Sequence, residues 1–150
     1  MSGDQTGNPA APRVELALDT TATASIRVGP ADLASAVSGD PAAGVVDEFP
    51  AVLATARMIG LMEVAAARAM APLLAAGELS VGVTVDVSHL APTPPGVEVT
   101  ATARYTGRDG KLYVFEVSAA DPGGEIGRGT HKRAIISAAR LIAGAARRAP

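Results

Sequence analysis

The segment that decides the fold of this chain begins with Phe49-Pro-Ala-Val-Leu-Ala-Thr-Ala-Arg-Met-Ile-Gly-Leu-Met-Glu63. Apolar residues continue on almost every side as far as Leu74, and a helix that is apolar all round is a buried helix. Acidic residues and a proline at positions 47–50 suit a helix start. We therefore predict a long buried helix that begins near these residues and ends near Ala75, with Gly77 as its C-terminal cap.

The most unusual residue of this helix is Glu63. Its neighbours three and four positions away are all uncharged: Ile59, Gly60, Ala66 and Ala67. Burial of an unpaired carboxylate is strongly unfavourable. Glu63 therefore either meets a structural partner, with Arg133 and Arg57 as the candidates, or is retained for chemistry.

The remainder of the chain has patterns typical of strands. Residues 22–28 alternate weakly, and residues 30–37 suit a short helix. After the long helix, the valines at 81, 83, 85 and 87 recur with period two, which predicts a strand face that also carries His89. Three more strands are expected after turns rich in proline, glycine or aspartate, over residues 97–105, 111–120 and 125–137.

This order of elements predicts an α+β fold in which an antiparallel sheet wraps around one central helix. We expect a disordered tail over residues 1–13, a single domain over 14–138, and a C-terminal helix or tail over 139–150. One helix covers only one sheet face and leaves the edge strands open. We therefore expect a homodimer, in which a second copy covers these exposed surfaces.

The composition narrows the class of protein. The 150 residues are 48% hydrophobic and 3% aromatic, with no cysteine and a net charge of −2. These values argue against nucleic-acid binding, disulfides and a thiolate metal site. Neither a secretory leader nor an apolar run long enough to span a membrane is visible. We therefore expect a cytoplasmic protein without a metal, a membrane anchor or a nucleic-acid partner.

Three polar side chains converge on one region of the predicted fold. His89 shares the strand face that meets the helix, so it points toward the same space as Glu63. Thr55 precedes Glu63 by eight residues, about two turns and roughly 80° around the helix. A hydroxyl, a carboxylate and an imidazole around one pocket are the groups that acyl-transfer hydrolysis uses.

Four blocks of sequence resemble the fluoroacetyl-CoA thioesterase family, in order, between Phe49 and Ile136. They are Phe49-Pro-x-Val-x-Ala-Thr55-x-x-Met-x-Gly60-Leu-Met-Glu63, Arg68-Ala-Met-Ala-Pro72, Val87-Ser-His89-x-Ala-x-Thr-Pro-Pro-Gly96 and Glu125-Ile-Gly-x-Gly-Thr-His131-x-Arg133-Ala. The resemblance implies a dimeric hot-dog fold with active sites at the subunit interface. It also implies that an acyl-CoA or acyl-carrier-protein thioester is hydrolysed, and that coenzyme A enters only as part of the substrate, with no other cofactor.

The resemblance also implies roles for individual residues. Thr55, Glu63 and His89 correspond to the catalytic set of the family, while Gly82 and Arg133 line its site. For His131, in the Gly-Thr-His block, we expect a structural or substrate-lining role.

This chain departs from the fluoroacetyl-specific members at two aromatic positions. Phe49 is kept as a substrate-contacting lid residue, but Val46 stands where those members carry a second lid aromatic. Val64 stands where they carry a tryptophan after the glutamate. A less aromatic pocket leads us to expect a different, larger acyl group.

Several alternatives stay open at this point. The sequence does not choose between a covalent acyl-enzyme and direct attack by water. One rival is a hot-dog enzyme that adds an amine to an α,β-unsaturated thioester before hydrolysis. Another is a non-catalytic acyl-CoA-binding protein.

Overall fold

Five strands and two α-helices make up the computed structural model, which describes residues 12–38, 44 and 47–150. In chain order they are β1 Thr21–Arg27, α1 Thr55–Met70, β2 Glu78–His89, β3 Glu98–Asp109, β4 Leu112–Asp121, β5 Gly124–Ser137 and α2 Ala138–Ala146. Short 3₁₀ turns cover Pro30–Asp32, Ala34–Ala36 and Ala71–Leu73, the last of which extends α1. No described helix is long and apolar enough to cross a lipid bilayer.

The strands form one antiparallel sheet in the order β1-β3-β4-β5-β2, and this sheet curls around α1. The helix-facing side of β3 and β4 is buried because apolar residues alternate with polar ones along both strands: Val99, Ala101, Ala103, Tyr105, Tyr113, Phe115, Val117 and Ala119. The architecture is therefore the predicted α+β hot-dog fold.

The start of α1 lies later than the sequence predicts. The helix begins at Thr55, because residues 50–54 instead form backbone hydrogen bonds and an antiparallel bridge with residues 32–35. Asp32 reinforces this pairing, since its Oδ1 accepts a hydrogen bond of 2.7 Å from Arg57 Nε on the first turn of α1. The predicted short helix over 30–37 is two 3₁₀ turns for the same reason. These contacts determine the residue at which α1 begins.

The helix is buried on one side rather than all round. Its buried residues are Met58, Leu61, Met62, Ala65, Ala66, Ala69 and Met70. Val64 is 41% exposed, and the side chain of Glu63 is also 41% exposed. The prediction of a fully buried Glu63 is therefore wrong for a single chain, because the sheet covers only one helix face. The uncovered face is apolar around the carboxylate.

An irregularity in β2 decides which of its side chains face the helix. Gly82 pairs with Arg133 and Thr84 with the preceding residue of β5, so Val83 is an inserted bulge residue. Strict alternation places Gly82 and His89 on opposite faces, because they are seven residues apart. The bulge brings both onto the helix-facing side. The prediction that all four valines share one face is therefore wrong.

The strand β2 also forms an edge of the sheet. In the described part of the chain it pairs with β5 only, and its other edge carries no strand. Val83 and Val85 are 51% and 42% exposed. Exposed apolar side chains on an unpaired strand are typical of a surface that pairs with another chain.

The two ends of the described chain meet beside the start of β2. Arg13 forms a bidentate ion pair with Glu78, with distances of 2.7 and 2.8 Å, and the pKa of Glu78 falls to about 2, mainly through these hydrogen bonds. Helix α2 starts where Ala138 N donates to Gly77 O. Gly77 adopts a φ of 78° in the turn before β2 rather than capping α1. Most of the predicted N-terminal tail lies outside the described residues.

Candidate active site

The first side-chain pair of the site joins the start of α1 to the end of β2. Thr55 is the first residue of α1, and His89 is the last residue of β2. Thr55 Oγ1 lies 2.8 Å from His89 Nδ1. The other ring nitrogen, His89 Nε2, is buried and has no hydrogen-bond partner among the described residues. A ring held at one nitrogen and free at the other is suited to contact a substrate or a water molecule.

The loop after His89 is fixed on both sides, which explains the placement of the imidazole. Thr93 is fully buried; its Oγ1 donates to Asp121 Oδ2 at 2.8 Å, and its carbonyl accepts from Leu53 N at 2.9 Å. Leu90 N donates to the backbone of β5 at 2.7 Å. The loop is thereby tied to the entry of α1 and to the β4–β5 turn.

Two cavities meet at the Thr55 side chain. One, of about 410 Å³, is lined by His89 and otherwise by apolar or proline residues. The second, of about 200 Å³, is lined by Phe49, which is half exposed. Both also contact Ala34, and neither has a charged residue among its described lining residues. Val46, the other predicted lid position, lies outside the described residues.

A larger cavity, about 640 Å³, lies on the outer face of the sheet, away from Thr55 and His89. Its arginines already have partners: Arg104 pairs with Asp19 and Glu116, and Arg128 pairs with Glu125. Cavity size alone therefore does not select a reactive site, and we place the candidate site at the Thr55–His89 pair.

Glu63 has different surroundings from this pair. Its Oε1 lies 3.8 Å from Arg133 Nη1 and 4.0 Å from His131 Nε2, within ion-pair range but beyond hydrogen-bond distance. A Cβ on Gly82 would overlap Glu63 Oε1, so the glycine provides the space that the carboxylate occupies. Arg57, the other candidate partner, is paired with an aspartate of the preceding segment.

His131 is a buried member of this cluster whose contacts the sequence did not reveal. It is 1% exposed; its Nδ1 lies 2.8 Å from Thr84 O, and its Nε2 lies 3.0 Å from Arg133 Nη1. Arginine only donates hydrogen bonds, so Nε2 accepts and Nδ1 carries the proton. Burial lowers the pKa of His131, and the charge of Arg133 lowers it further, although the bond to Thr84 opposes both. The ring is therefore neutral near pH 7.

The depressed pKa of His131 predicts a loss of stability in acid. The unfolded chain binds a proton at this histidine near pH 6.5, whereas the folded chain does so only at lower pH. Its contribution to the free energy of unfolding is therefore complete above about pH 6.5 and is lost as the pH falls below that value. Urea unfolding between pH 5 and 8 measures this slope.

The control for this pH experiment is His131→Gln, which keeps a polar side chain but does not titrate. We expect its stability to depend less on pH below about 6.5, since His89 is present in both proteins. Identical slopes for the two proteins would contradict the prediction.

The predicted catalytic residues thus form two groups in one chain. No hydrogen bond or ion pair between described residues joins Glu63 to Thr55 or His89. Eight residues of helix separate Thr55 from Glu63, a rise of about 12 Å. One group contains Thr55 and His89; the other contains Glu63, Gly82, His131 and Arg133.

Two sequence comparisons identify known proteins that are similar to this chain. The family model described as "FlK: Fluoroacetyl-CoA-specific thioesterase" matches residues 37–139. A fluoroacetyl-CoA thioesterase from Streptantibioticus cattleyicolor is 53% identical over 89 residues, which are 59% of this chain and 64% of that protein. The match thus spans less than two thirds of that relative.

The fold is also similar to solved structures. A structure of the fluoroacetyl-CoA thioesterase FlK has a TM-score of 0.81 at 37% identity, covering 91% of this chain and 100% of that one. A threonine-to-serine mutant of FlK in complex with acetyl-CoA has a TM-score of 0.80 at 38% identity, covering 89% and 99% of the two chains. The residues matched by the family model, 37–139, span both residue groups of the candidate site.

Proposed function

This chain belongs to the fluoroacetyl-CoA-specific thioesterase family, and from that membership we propose that it hydrolyses acyl thioesters of coenzyme A. The observation that carries the proposal is the 2.8 Å contact between Thr55 Oγ1 and His89 Nδ1 beside an apolar cavity. A hydroxyl paired with an imidazole is an activated nucleophile, and backbone N–H groups at a helix N-terminus favour the negative charge that develops on a carbonyl oxygen.

Two routes of hydrolysis use these groups. In the first, Thr55 Oγ attacks the thioester carbonyl, its proton passes to His89, the C–S bond breaks, and the coenzyme A thiolate takes up a proton; water then cleaves the acyl-threonine. In the second, Glu63 or His89 removes a proton from water, whose oxygen attacks the carbonyl directly; the C–S bond then breaks, and the coenzyme A thiolate takes up the proton. A mass increase of the protein by one acyl group after rapid acid quenching supports the first route, and its absence supports the second.

The acyl group is proposed to be uncharged and larger than fluoroacetyl. The cavities beside Thr55 have volumes of about 410 and 200 Å³, and their described lining residues are uncharged. A carboxylate on the acyl chain would lose its hydration there without gaining a partner. Val46 also replaces an aromatic lid residue with a smaller side chain. We therefore expect butyryl- and hexanoyl-CoA to be better substrates than succinyl-CoA.

The active form is proposed to be a homodimer with composite sites. Val64 lies on the helix face that the chain's own sheet leaves uncovered, and the partly exposed Glu63 lies at the margin of that face. The strand β2 presents an unpaired edge. A second copy that covers these surfaces brings its own Thr55 and His89 toward Glu63, which removes the separation of about 12 Å along α1. Such an interface also buries the exposed valines of β2.

The function is tested by measuring thiol release from acetyl-, fluoroacetyl-, butyryl-, hexanoyl-, crotonyl- and succinyl-CoA, and from an acyl-carrier protein. We expect release by the wild-type protein and its loss in His89→Ala. No release from any coenzyme A or carrier-protein thioester would reject the proposal and support a binding role. An amine adduct of the crotonyl thioester would instead support the amine-adding enzyme.

A mixing experiment is expected to demonstrate the composite site. Glu63→Gln and His89→Ala are each expected to be inactive, but co-refolding equal amounts should restore about a quarter of the wild-type activity, because random pairing yields heterodimers with one intact site. The control is a mixture of Thr55→Ala with His89→Ala, whose defects lie in the same half-site and should not complement. Restoration in neither mixture would place the whole site within one chain.

A further inference from the structure

We propose that His131 and Ser80 are positioning residues that hold the guanidinium of Arg133 away from full contact with Glu63, so that this carboxylate stays available for reaction. The proposal rests on the hydrolase function above. Ser80 lies on β2 and His131 and Arg133 on β5, next to each other in the sheet.

Arg133 is held by neutral acceptors on three of its nitrogens. Nε donates to Ser80 Oγ at 3.1 Å, Nη2 donates to Ser80 O at 2.9 Å, and Nη1 donates to His131 Nε2 at 3.0 Å. Because the acceptors are uncharged, they orient the guanidinium without neutralising it. Arg133 is only 6% exposed, so its orientation is set by these contacts rather than by solvent.

His131 can serve this purpose in only one protonation state. Its Nε2 must present a lone pair to Arg133, so the ring is neutral and its proton lies on Nδ1, where Thr84 O accepts it at 2.8 Å. The charged groups that face the ring are Arg133 on its own strand and Glu63 on α1. The groups that face it from β2 are the Thr84 carbonyl and the Gly82 backbone.

The distance between Arg133 and Glu63 distinguishes this arrangement from an ordinary structural ion pair. Structural arginine–carboxylate pairs close to about 2.8 Å, often with two parallel hydrogen bonds. Here the Nη1–Oε1 distance is 3.8 Å, and the Glu63 side chain remains 41% exposed. The positive charge therefore orients the carboxylate while both carboxylate oxygens remain free of hydrogen bonds to described residues. If His131 released Nη1, the guanidinium could close onto Glu63 and occupy it.

Kinetics on the whole protein test the proposal with the best acyl-CoA substrate. His131→Phe keeps a ring but removes the acceptor, and we expect kcat to fall roughly tenfold with little change in KM, because a displacement of less than about 1 Å at a reacting group already slows the reaction. His131→Gln restores an acceptor and should recover most of kcat. Val99→Ala, a buried substitution on β3 outside the site, is the stability control and should keep wild-type kcat. Unchanged kcat in His131→Phe, or an equal loss in Val99→Ala, would overturn the proposal.

A spectroscopic measurement tests the network independently of turnover. The chain has two histidines, so ¹⁵N spectra of histidine-labelled protein contain two rings, and His89→Ala identifies the signals of His131. We expect a neutral His131 with its proton on Nδ1, and a changed tautomer or protonation state in Arg133→Ala. A proton on Nε2 in the wild-type protein would overturn the proposal. If the wild-type protein releases no thiol, the proposed function is rejected. The spectrum then still tests whether His131 accepts a hydrogen bond from Arg133.

Discussion

Glu63→Gln is expected to lower kcat by roughly 10² to 10⁴-fold, the range that general acid–base assistance contributes. Glutamine has the same shape and keeps a polar end, but it does not accept a proton from water. The folded state should be little affected, because the side chain is 41% exposed and its nearest cation is 3.8 Å away. Thiol release at saturating acyl-CoA measures the effect.

The control for this substitution is Glu125→Gln. Glu125 is an exposed acid that is paired with Arg128 at 3.2 Å on the outer side of the sheet. Exposed pairs of this kind contribute about 0–1 kcal/mol to stability, so the control should retain both fold and kcat. A Glu63→Gln protein with wild-type kcat would assign the carboxylate a structural role and would favour Thr55 and His89 as a self-sufficient pair.

The sheet could be predicted from the sequence because two of its strands have a clear period. Along β3 and β4, residues such as Val99, Tyr105 and Phe115 alternate with polar ones, and one face of each strand is buried as expected. The turn at Asp109-Gly110 also follows the prediction, since Gly110 adopts a φ of 58°. Local pattern and tertiary packing agree in this half of the molecule.

The start of α1 could not be predicted, because a tertiary contact competes with local signals. Residues 47–50 contain a good helix-start pattern, but residues 50–54 form backbone hydrogen bonds with residues 32–35, and the helix starts only at Thr55. The β-bulge at Val83 could not be predicted either, because the valines of β2 recur at every second position of the sequence whether or not one residue is inserted in the strand pairing. Only the register with β5 reveals that Gly82 faces the helix.

For the candidate site, the sequence predicts which residues to consider but not how they are arranged. The sequence named Thr55, Glu63 and His89, and two of them are in contact. It treated Glu63 as buried, because a sequence cannot distinguish an apolar helix face that meets the chain's own sheet from one that the sheet leaves uncovered. The neutral state of His131 depends on hydrogen bonds across strands, which no local pattern encodes.

Gly82→Ala is expected to reduce kcat by about 10²-fold, the loss that a displacement of roughly 1 Å at a reacting group can cause. The added Cβ would overlap Glu63 Oε1 and lie 3.0 Å from His131 Cε1. Glu63 is the more mobile neighbour, because its carboxylate is partly exposed and makes no hydrogen bond to described residues. It therefore moves first, and the strand pairing of β2 is kept.

Gly144→Ala on α2 is the matched control, since its added Cβ meets only Arg147 Nη2 at 3.7 Å, an ordinary contact. A glycine inside a helix costs about 1 kcal/mol relative to alanine, so this variant should be slightly more stable, with unchanged kcat. Thermal unfolding and thiol release are measured on both variants. A Gly82→Ala protein with wild-type kcat would show that the position of Glu63 beside β2 is not the reactive one. Loss of kcat at an unchanged Tm would instead show that the reaction requires the carboxylate to occupy the space beside Gly82.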